Sequence, residues 1–477
     1  MARTAVRPAS CIAALLGCLW SCAPTEDPAP SDVVAPAQDQ EALPDYRAVI
    51  LVTIDTLRAD HVSMNGYLRE TTPFLDDLAQ RSVVFDNAQA TMPFTGPSHS
   101  SMLTGLHPFQ HGVMINGQSL NPEIPNVAQR FRDAGYKTAA FVSTGFIRNV
   151  TSSFETVVLG KRTGRATMKQ AAEWVEGLDA DTPFFLWVHL FNVHEWESEK
   201  KSPQNRPSLA EASPPLEGDA WYDYLAERHG WPMVKADDPF PEFAWDTNQA
   251  IINNRDQLLE TVDLYDARVQ YADGSVRILF KRLNAALGSD PTLWVITADH
   301  GEGLGSHSYK GHSSQVFQEQ IHVPLIVFQQ PALAPRHVQG IVSLVDLAPT
   351  LTASLGLRDD AWESLSLWPL IHGTETKFSR PALAQRSPVG SAGDVFALMS
   401  EGRKYFYRVR YDDAYYDLTA DPQELSSNLD SPDAEFMRAL LQVQLQSRNW
   451  KAGDQDTDMS GFSEELLQEL KALGYVE

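Results

Sequence analysis

Two apolar runs that each lead into an aspartate constrain this chain more than any other feature. Ala48–Ile54 reads AVILVTI and is followed by Asp55; Thr292–Thr297 reads TLWVIT and is followed by Ala298, Asp299 and His300. An apolar run of this length is the pattern of a central strand buried on both faces, as in a parallel sheet covered by helices. Lys137–Val142, Phe184–Leu190 and His322–Phe328 repeat that texture. Between the runs, the spacing predicts helices over Thr72–Ser82 (Phe74, Leu75 and Leu78 facing inward), Ile124–Ala134, stopped by Gly135, and Gln257–Leu287. Strands alternating with helices make an α/β fold with a central, mostly parallel sheet flanked by helices. Sheets of this kind place their chemistry beyond the carboxyl ends of the strands, which is where Asp55, Asp299 and His300 stand.

The flanks read differently. After about Phe378, Val395–Ser400, Lys404–Arg410 and Tyr415–Leu418 look like an antiparallel set, followed by a helix over Asp433–Gln446. They make residues 379–477 a small C-terminal subdomain beside a catalytic domain of residues 46–378. Within the latter, residues 195–258 break the alternation with proline, acid and the aromatic residues Trp196, Trp221, Tyr222, Trp231, Phe243 and Trp245. A long insertion of this sort is expected to be a lid or specificity loop. Residues 1–22 are a targeting segment, with Arg3 and Arg7 ahead of an apolar stretch too short to span a membrane. All three cysteines, Cys11, Cys18 and Cys22, lie here, which leaves the rest of the chain without a disulfide or thiolate metal site. Leu19–Cys22 resembles a bacterial lipobox, with Cys18 as the alternative. The expectation is an exported protein of the bacterial periplasm or cell surface, anchored in a membrane by lipid; a plain secretory signal is the other reading. Residues 23–45, with five prolines, are a disordered tether.

A formal net charge of −24 argues against nucleic acid as a partner. An anionic substrate must then meet a locally cationic pocket, most simply one holding a metal. Thr91–Gly105, TMPFTGPSHSSMLTG, supplies a nucleophile for it. Thr95 precedes a helix-like run in which Pro97 suits the first turn, and Ser98, Ser100 and Ser101 are placed to satisfy free amides. A hydroxyl at a helix N-terminus sits in a field that favours an incoming anion. Two carboxylates and an imidazole converging at the strand ends suggest a divalent metal, with the Thr95 oxygen completing its shell.

The same stretch resembles the signature of the sulfatase family within the alkaline phosphatase superfamily: Cys or Ser, any residue, Pro-Ser-Arg, and then Leu-Thr-Gly. Thr95-Gly96-Pro97-Ser98-His99 and Leu103-Thr104-Gly105 fall on it. Further matches are Val52–Asp60, Thr297–Glu302, Val323–Ile326, Val342–Thr350, Tyr416–Leu418, Asp421-Pro422, Asn428-Leu429 and Leu473–Tyr475, spanning nearly the whole chain after the leader. The resemblance implies metal ligands at Asp55, Thr95, Asp299 and His300. It implies a leaving-group residue at His194, and substrate contacts at His307, Lys310 and His312, the alternative being that the two histidines complete a second metal site. His99 stands where the family has Arg and is a candidate support for Thr95; His111 is a structural position; Arg58 and Asp60 are expected to pair. Three departures bear on the reaction. Thr95 cannot mature to formylglycine, Thr56 replaces the family's second aspartate, and Val142–Gly145 lacks the Lys and His that hold sulfate. The loss of the second aspartate leaves a less anionic site, suited to Mn or Zn more than to Ca, with Mg also open. The first expectation is phosphate-ester hydrolysis, or phospho-group transfer, by a Thr nucleophile. Sulfate-ester hydrolysis comes second, and an inactive surface protein binding glycan or lipid headgroups third. The substrate is a small-molecule, glycan or lipid-headgroup ester.

Overall fold

A computed structural model describes residues 43, 45–160, 163–196, 216, 218–233, 254–356, 362, 364–378, 380–386, 394–409, 411–448 and 450. The targeting segment, nearly all of the tether, most of the 195–258 insertion (Phe243 and Trp245 included) and the Leu473–Tyr475 match lie outside them. The described strands are β1 (Ala48–Ile54), β2 (Val83–Gln89), β3 (Lys137–Val142), β4 (Thr156–Leu159), β5 (Phe184–Leu190), β6 (Thr292–Ala298), β7 (Gly303–Leu304), β8 (Lys310–Gly311), β9 (His322–Gln330), β10 (Arg336–Val338), β11 (Val342–Ser343), β12 (Ala382–Arg386), β13 (Val395–Ser400), β14 (Arg403–Arg408) and β15 (Ala414–Asp417). The helices are α1 (Pro73–Ala79), α2 (Thr95–Thr104), α3 (Pro108–His111), α4 (Val127–Asp133), α5 (Gly164–Glu176), α6 (Asp219–His229), α7 (Arg255–Leu287), α8 (Gln318–Ile321), α9 (Leu347–Ala353), α10 (Trp368–His372) and α11 (Pro432–Ser447).

The central sheet runs β10-β2-β9-β6-β1-β5-β3-β4, with β11 also on β2. β1 sits between β5 and β6, parallel to both, and every one of its residues is buried. That is the environment its uninterrupted apolar run requires. β9 alone breaks the parallel order, running antiparallel to both β6 and β2. The α/β reading therefore holds. Several elements of this layer escaped the sequence pattern: the short strands β4, β10 and β11, and also β2 and α5. β2 carries Asp86 and Asn87 in mid-strand, where the register shifts between Phe85 and Ala88, so its period is broken. α5 is amphipathic and starts at Thr163, whose hydroxyl accepts the Ala166 N–H.

β12–β15 form a separate antiparallel sheet. Phe396, Leu398 and Tyr405 of this sheet pack with Met437, Leu441 and Leu445 of α11. A fully buried Lys404–Glu424 ion pair lies at the inner face of β14, and Glu424 also accepts the Gln318 N–H at 2.6 Å, tying this sheet to α8. Among the described residues no helix is long and apolar enough to cross a membrane.

Candidate active site

Register alone brings the two aspartates together. Thr53 pairs with His189 of β5 on one side and with Thr297 of β6 on the other. Residues two apart share a face of a strand. Asp55 and Asp299, each two positions past those threonines, therefore emerge side by side at the carboxyl edge, with His189 on the same face. The Asp55 N–H donates to the Leu190 carbonyl at 2.9 Å, continuing the β1–β5 ladder to the aspartate itself.

Each aspartate commits one oxygen to the protein and leaves the other bare. Asp299 Oδ1 accepts the N–H groups of Thr56 (3.1 Å) and His300 (2.9 Å), while Oδ2 has no hydrogen-bond partner. Asp55 Oδ2 lies 3.1 Å from His189 Nε2, and Oδ1 has no partner. His300 donates from Nδ1 to the Gly301 carbonyl (2.9 Å), which turns the Nε2 lone pair inward. Nε2 is 3.5 Å from Asp299 Oδ2, 3.9 Å from Asp55 Oδ1 and 3.5 Å from Thr95 Oγ1. All four residues are completely buried. Bonds of about 2.1 Å to one ion in tetrahedral geometry would set neighbouring ligand atoms about 3.4 Å apart. Two bare carboxylate oxygens, an imidazole lone pair and a hydroxyl at this spacing are a donor set that fits a divalent cation. Burial, followed by the charge of Asp299, pushes Asp55 well above the usual carboxylate range. Asp299 moves the other way: burial opposes ionisation, but His300, His99, His189 and the Thr56 N–H together outweigh it. Thr56 takes a left-handed conformation, φ 57°, which is strained for a β-branched residue. Tyr265 holds it there by donating to the Thr56 carbonyl at 2.6 Å.

Thr95 is the first residue of α2. The serines do not cap this helix as the sequence led us to expect. The helix starts at Thr95 and the Ser98 N–H already bonds the Phe94 carbonyl. Ser98 instead donates to the Asp299 carbonyl, and Ser100 to that of Gly96. The free Gly96 N–H is taken by Asn116 Oδ1 at 2.7 Å. His99 donates from Nδ1 to the Thr95 carbonyl (2.7 Å) and accepts at Nε2 from Thr53 Oγ1 (2.9 Å), whose own acceptor site is filled by Trp187 Nε1–H. This network fixes a neutral imidazole, and burial pushes His99 down to about 3. At the position where the resemblance has an arginine, the chain has a neutral imidazole beneath Thr95.

The flanking candidates divide. The His312 ring lies 4.6 Å from that of His300 and 4.9 Å from that of His194, which stacks on Phe191. His312 Nδ1 faces Glu302 (3.3 Å to Oε2), and Trp196 Nε1 donates to the same carboxylate at 3.4 Å. Burial raises Glu302 to about 7 and lowers His194 to about 3. The ammonium of Lys310 sits 5.0 Å over the Trp196 ring, within the same group. His307 does not join His312. It stacks on Phe317 at 3.6 Å and faces Glu319 and the Glu424 carbonyl, on the side of the small sheet. His189 and Asn116 escaped the sequence reading, His189 because it looks like one more strand residue and Asn116 because it carries no spacing signal; Glu302 ends the Thr297–Glu302 match but is given no role by it.

Around this centre, Arg58 forms the expected pair with Asp60, bidentate at 2.8 and 2.7 Å, and donates also to the Glu302 carbonyl. It thereby ties the loop after β1 to the loop after β6. His111 accepts the Val113 N–H at Nδ1 and bonds Ser101, a structural position. A second histidine group, His61 with His229 of α6, adjoins Asp60, but both oxygens of Asp60 are held by Arg58. A surface cleft of about 930 Å³ between α1 and α7, lined by Phe74, Arg81, Tyr271 and Arg277, contains none of the candidate catalytic residues.

The family model described as Sulfatase matches residues 47–357, most of the chain and all of this centre. The chain belongs to the sulfatase family. Among the relatives of this chain, an ulvan-active sulfatase of Formosa agariphila is 23% identical over 485 residues, covering 95% of this chain and 88% of that protein. A choline-sulfatase of Rhizobium meliloti is 24% identical over 415 residues, covering 77% and 80%. In structure, the phosphonate monoester hydrolase of Agrobacterium radiobacter superposes with a TM-score of 0.63 at 20% identity, covering 84% of this chain and 95% of that one, a likeness of fold. The sulfatase-family chain is thus an ester-bond hydrolase.

Proposed function

We propose that this sulfatase-family hydrolase cleaves phosphate esters, mono- or diesters, through Thr95 as nucleophile. The observation that carries the reading is Thr95 itself: an unmodifiable hydroxyl at the head of α2, 3.5 Å from His300 Nε2, beside two carboxylate oxygens that have no partner. Asp55 Oδ1, Asp299 Oδ2, His300 Nε2 and Thr95 Oγ1 are the atoms that would hold a divalent cation (Mn, Zn, Mg or Ca). When bound, the cation supplies positive charge to the ester's non-bridging oxygens and acidifies the Thr hydroxyl. Thr95 Oγ forms a bond to phosphorus in line with the departing ester oxygen, and the proton Thr95 surrenders ends on the leaving alcohol. His99 holds the Thr95 carbonyl and so the angle of attack. His194, kept neutral by burial at ordinary pH, assists departure as an N–H donor and not as an imidazolium acid. Water, or an alcohol acceptor, then releases the phosphoryl group. Lys310 and His312 face the same side and are the natural contacts for the remaining anionic oxygens.

Sulfate-ester hydrolysis by the same residues is the second reading, favoured by relatives named as sulfatases over most of the chain. Those names also favour a small-molecule or glycan ester as substrate, framed by Trp196. The lipobox-like Leu19–Cys22 supports export and anchoring at Cys22, as part of the same proposal.

The test is turnover of an aryl phosphate monoester, an aryl phosphate diester and an aryl sulfate in Mn, Zn, Mg or Ca, by the wild-type chain and by Thr95→Ala. Phosphate cleavage that needs the metal and falls at least about 10³-fold in Thr95→Ala supports the first reading. Sulfate cleavage with the same dependence replaces it with the second. Turnover unchanged in Thr95→Ala overturns both.

A further inference from the structure

His189 is the penultimate residue of β5, where nothing in the sequence motifs marks it, yet it is completely buried beside the strand-end carboxylates. Its Nε2 lies 3.1 Å from Asp55 Oδ2, the oxygen that faces away from His300, whereas Oδ1 faces His300 Nε2 at 3.9 Å. The other ring nitrogen, Nδ1, has no hydrogen-bond partner. With Asp55 ionised, as a cation ligand must be, its Oδ2 is an acceptor only, so the single ring proton belongs on Nε2, and Nδ1 keeps its lone pair. Register places the pair: His189 lies opposite Thr53 on the face that Asp55 continues. β5 is held on its other side by β3, and the edge of the His189 ring is packed by His99, 4.9 Å away at 78°. The imidazole therefore has little freedom to turn.

We infer that His189 is a positioning residue for the metal centre. It donates one hydrogen bond to the outer oxygen of Asp55, which fixes the carboxylate plane so that Oδ1 points at His300 Nε2 and Thr95. The inference rests on the reading of Asp55, Thr95, Asp299 and His300 as a cation site. His189 lies with His99 and Asp299 in a group whose ligand atoms are within 4.8 Å of one another, but its Nε2 proton is spent on Asp55 Oδ2 and both nitrogens of His99 are held by Thr95 and Thr53, so it acts as a donor beside the cluster and not as a ligand. Asp299 achieves the same end with two backbone donors on Oδ1; Asp55 has no backbone donor there and relies on a side chain. A free carboxylate rotating about its last bond would offer Oδ1 in the right place only part of the time. Such outer partners typically govern metal affinity 10- to 100-fold.

Two substitutions separate this role from packing. In His189→Gln the side-chain amide nitrogen falls near the position of Nε2 and can still donate; His189→Leu fills the site and cannot. The full-length chain, stripped with EDTA, is titrated with Mn2+ by calorimetry, and its melting temperature is recorded without metal. His189→Leu is expected to bind Mn2+ about 10- to 100-fold more weakly than wild type, and His189→Gln within a few-fold of it. Wild-type affinity in His189→Leu overturns the assignment. Equal loss in both variants overturns it too, since a packing role does not distinguish a donor from none; where metal-free His189→Leu is unfolded, His189→Met, which fills the site and cannot donate, takes its place under the same criteria. A wild-type chain that takes up no Mn2+, Zn2+, Mg2+ or Ca2+ overturns the cation site on which the assignment stands, an outcome distinct from any loss confined to the variants.

Discussion

Replacing Asp55 by Asn tests the electrostatic logic of the centre without touching the proposed nucleophile, Thr95. In the metal-free protein, the ligand atoms of Asp55 and Asp299 lie within 4.8 Å of each other. Two unit charges at that separation, at an effective dielectric of about 20, repel by about 3.5 kcal/mol. The actual cost is smaller, because burial and Asp299 raise the Asp55 pKa and let a proton take up part of the strain. An asparagine keeps an oxygen for the His189 N–H and turns its amide toward the His300 lone pair, now a donor facing an acceptor. Asp55→Asn is therefore expected to melt a few degrees above wild type in EDTA and to lose the stabilisation that Mn2+ gives wild type. The sign with pH follows. A carboxyl whose folded pKa is raised binds more protons in the folded state, so its contribution falls as pH rises from the unfolded value toward the folded one. Wild type without metal should thus lose stability relative to Asp55→Asn as pH is raised from the ordinary carboxylate range. Differential scanning calorimetry of both proteins at several pH values, with EDTA and with Mn2+, measures all of this. A variant less stable than wild type in EDTA, yet still stabilised equally by Mn2+, would refute the reasoning.

Two further outcomes follow from geometry elsewhere. A Cβ at Gly301 would lie 2.1 Å from the Glu319 carbonyl oxygen, a backbone atom that cannot step aside, so Gly301→Ala should cost at least about 1–3 kcal/mol in urea unfolding. It should also weaken Mn2+ binding by displacing His300, whose Nδ1 rests on the Gly301 carbonyl. Asp273 accepts the Phe74 and Leu75 N–H groups at the start of α1, and burial raises it to about 7. Its folded pKa lies above its unfolded one, so ionising it costs stability progressively between about pH 4 and 7. Asp273→Asn should flatten that part of the melting-temperature profile relative to wild type; an unaltered difference between pH 4.5 and 7.5 would count against it.

Much of the scaffold was legible because buried parallel strands leave an unmistakable trace. β1, β3, β5 and β6 are continuous apolar runs, and their lengths were read almost to the residue. α2 was legible as a helix, but not its caps, since a one-turn error in its start moves Ser98 from amide acceptor to a donor at the Asp299 carbonyl. β2 was illegible because its bulge destroys the period on which such readings depend. In the site, the grouping of Asp55, Thr95, Asp299 and His300 followed from strand ends and from family resemblance. His307 and His312, five residues apart, looked like a pair; a left-handed backbone at His307, φ 53°, sends its ring onto Phe317 instead.

The sequence by itself determined the layer architecture and the strand-end aspartates, and it supplied Thr95 as the proposed nucleophile. These are properties of single segments: a run is apolar or it is not, and a threonine cannot become an aldehyde. Only the tertiary structure decided which oxygen of each aspartate is bare, which tautomer His99 and His300 adopt, and that His189 steadies Asp55. Those depend on the register between β1, β5 and β6, elements more than a hundred residues apart in the chain, whose mutual alignment is set by packing of the whole sheet and leaves no mark in any one of them.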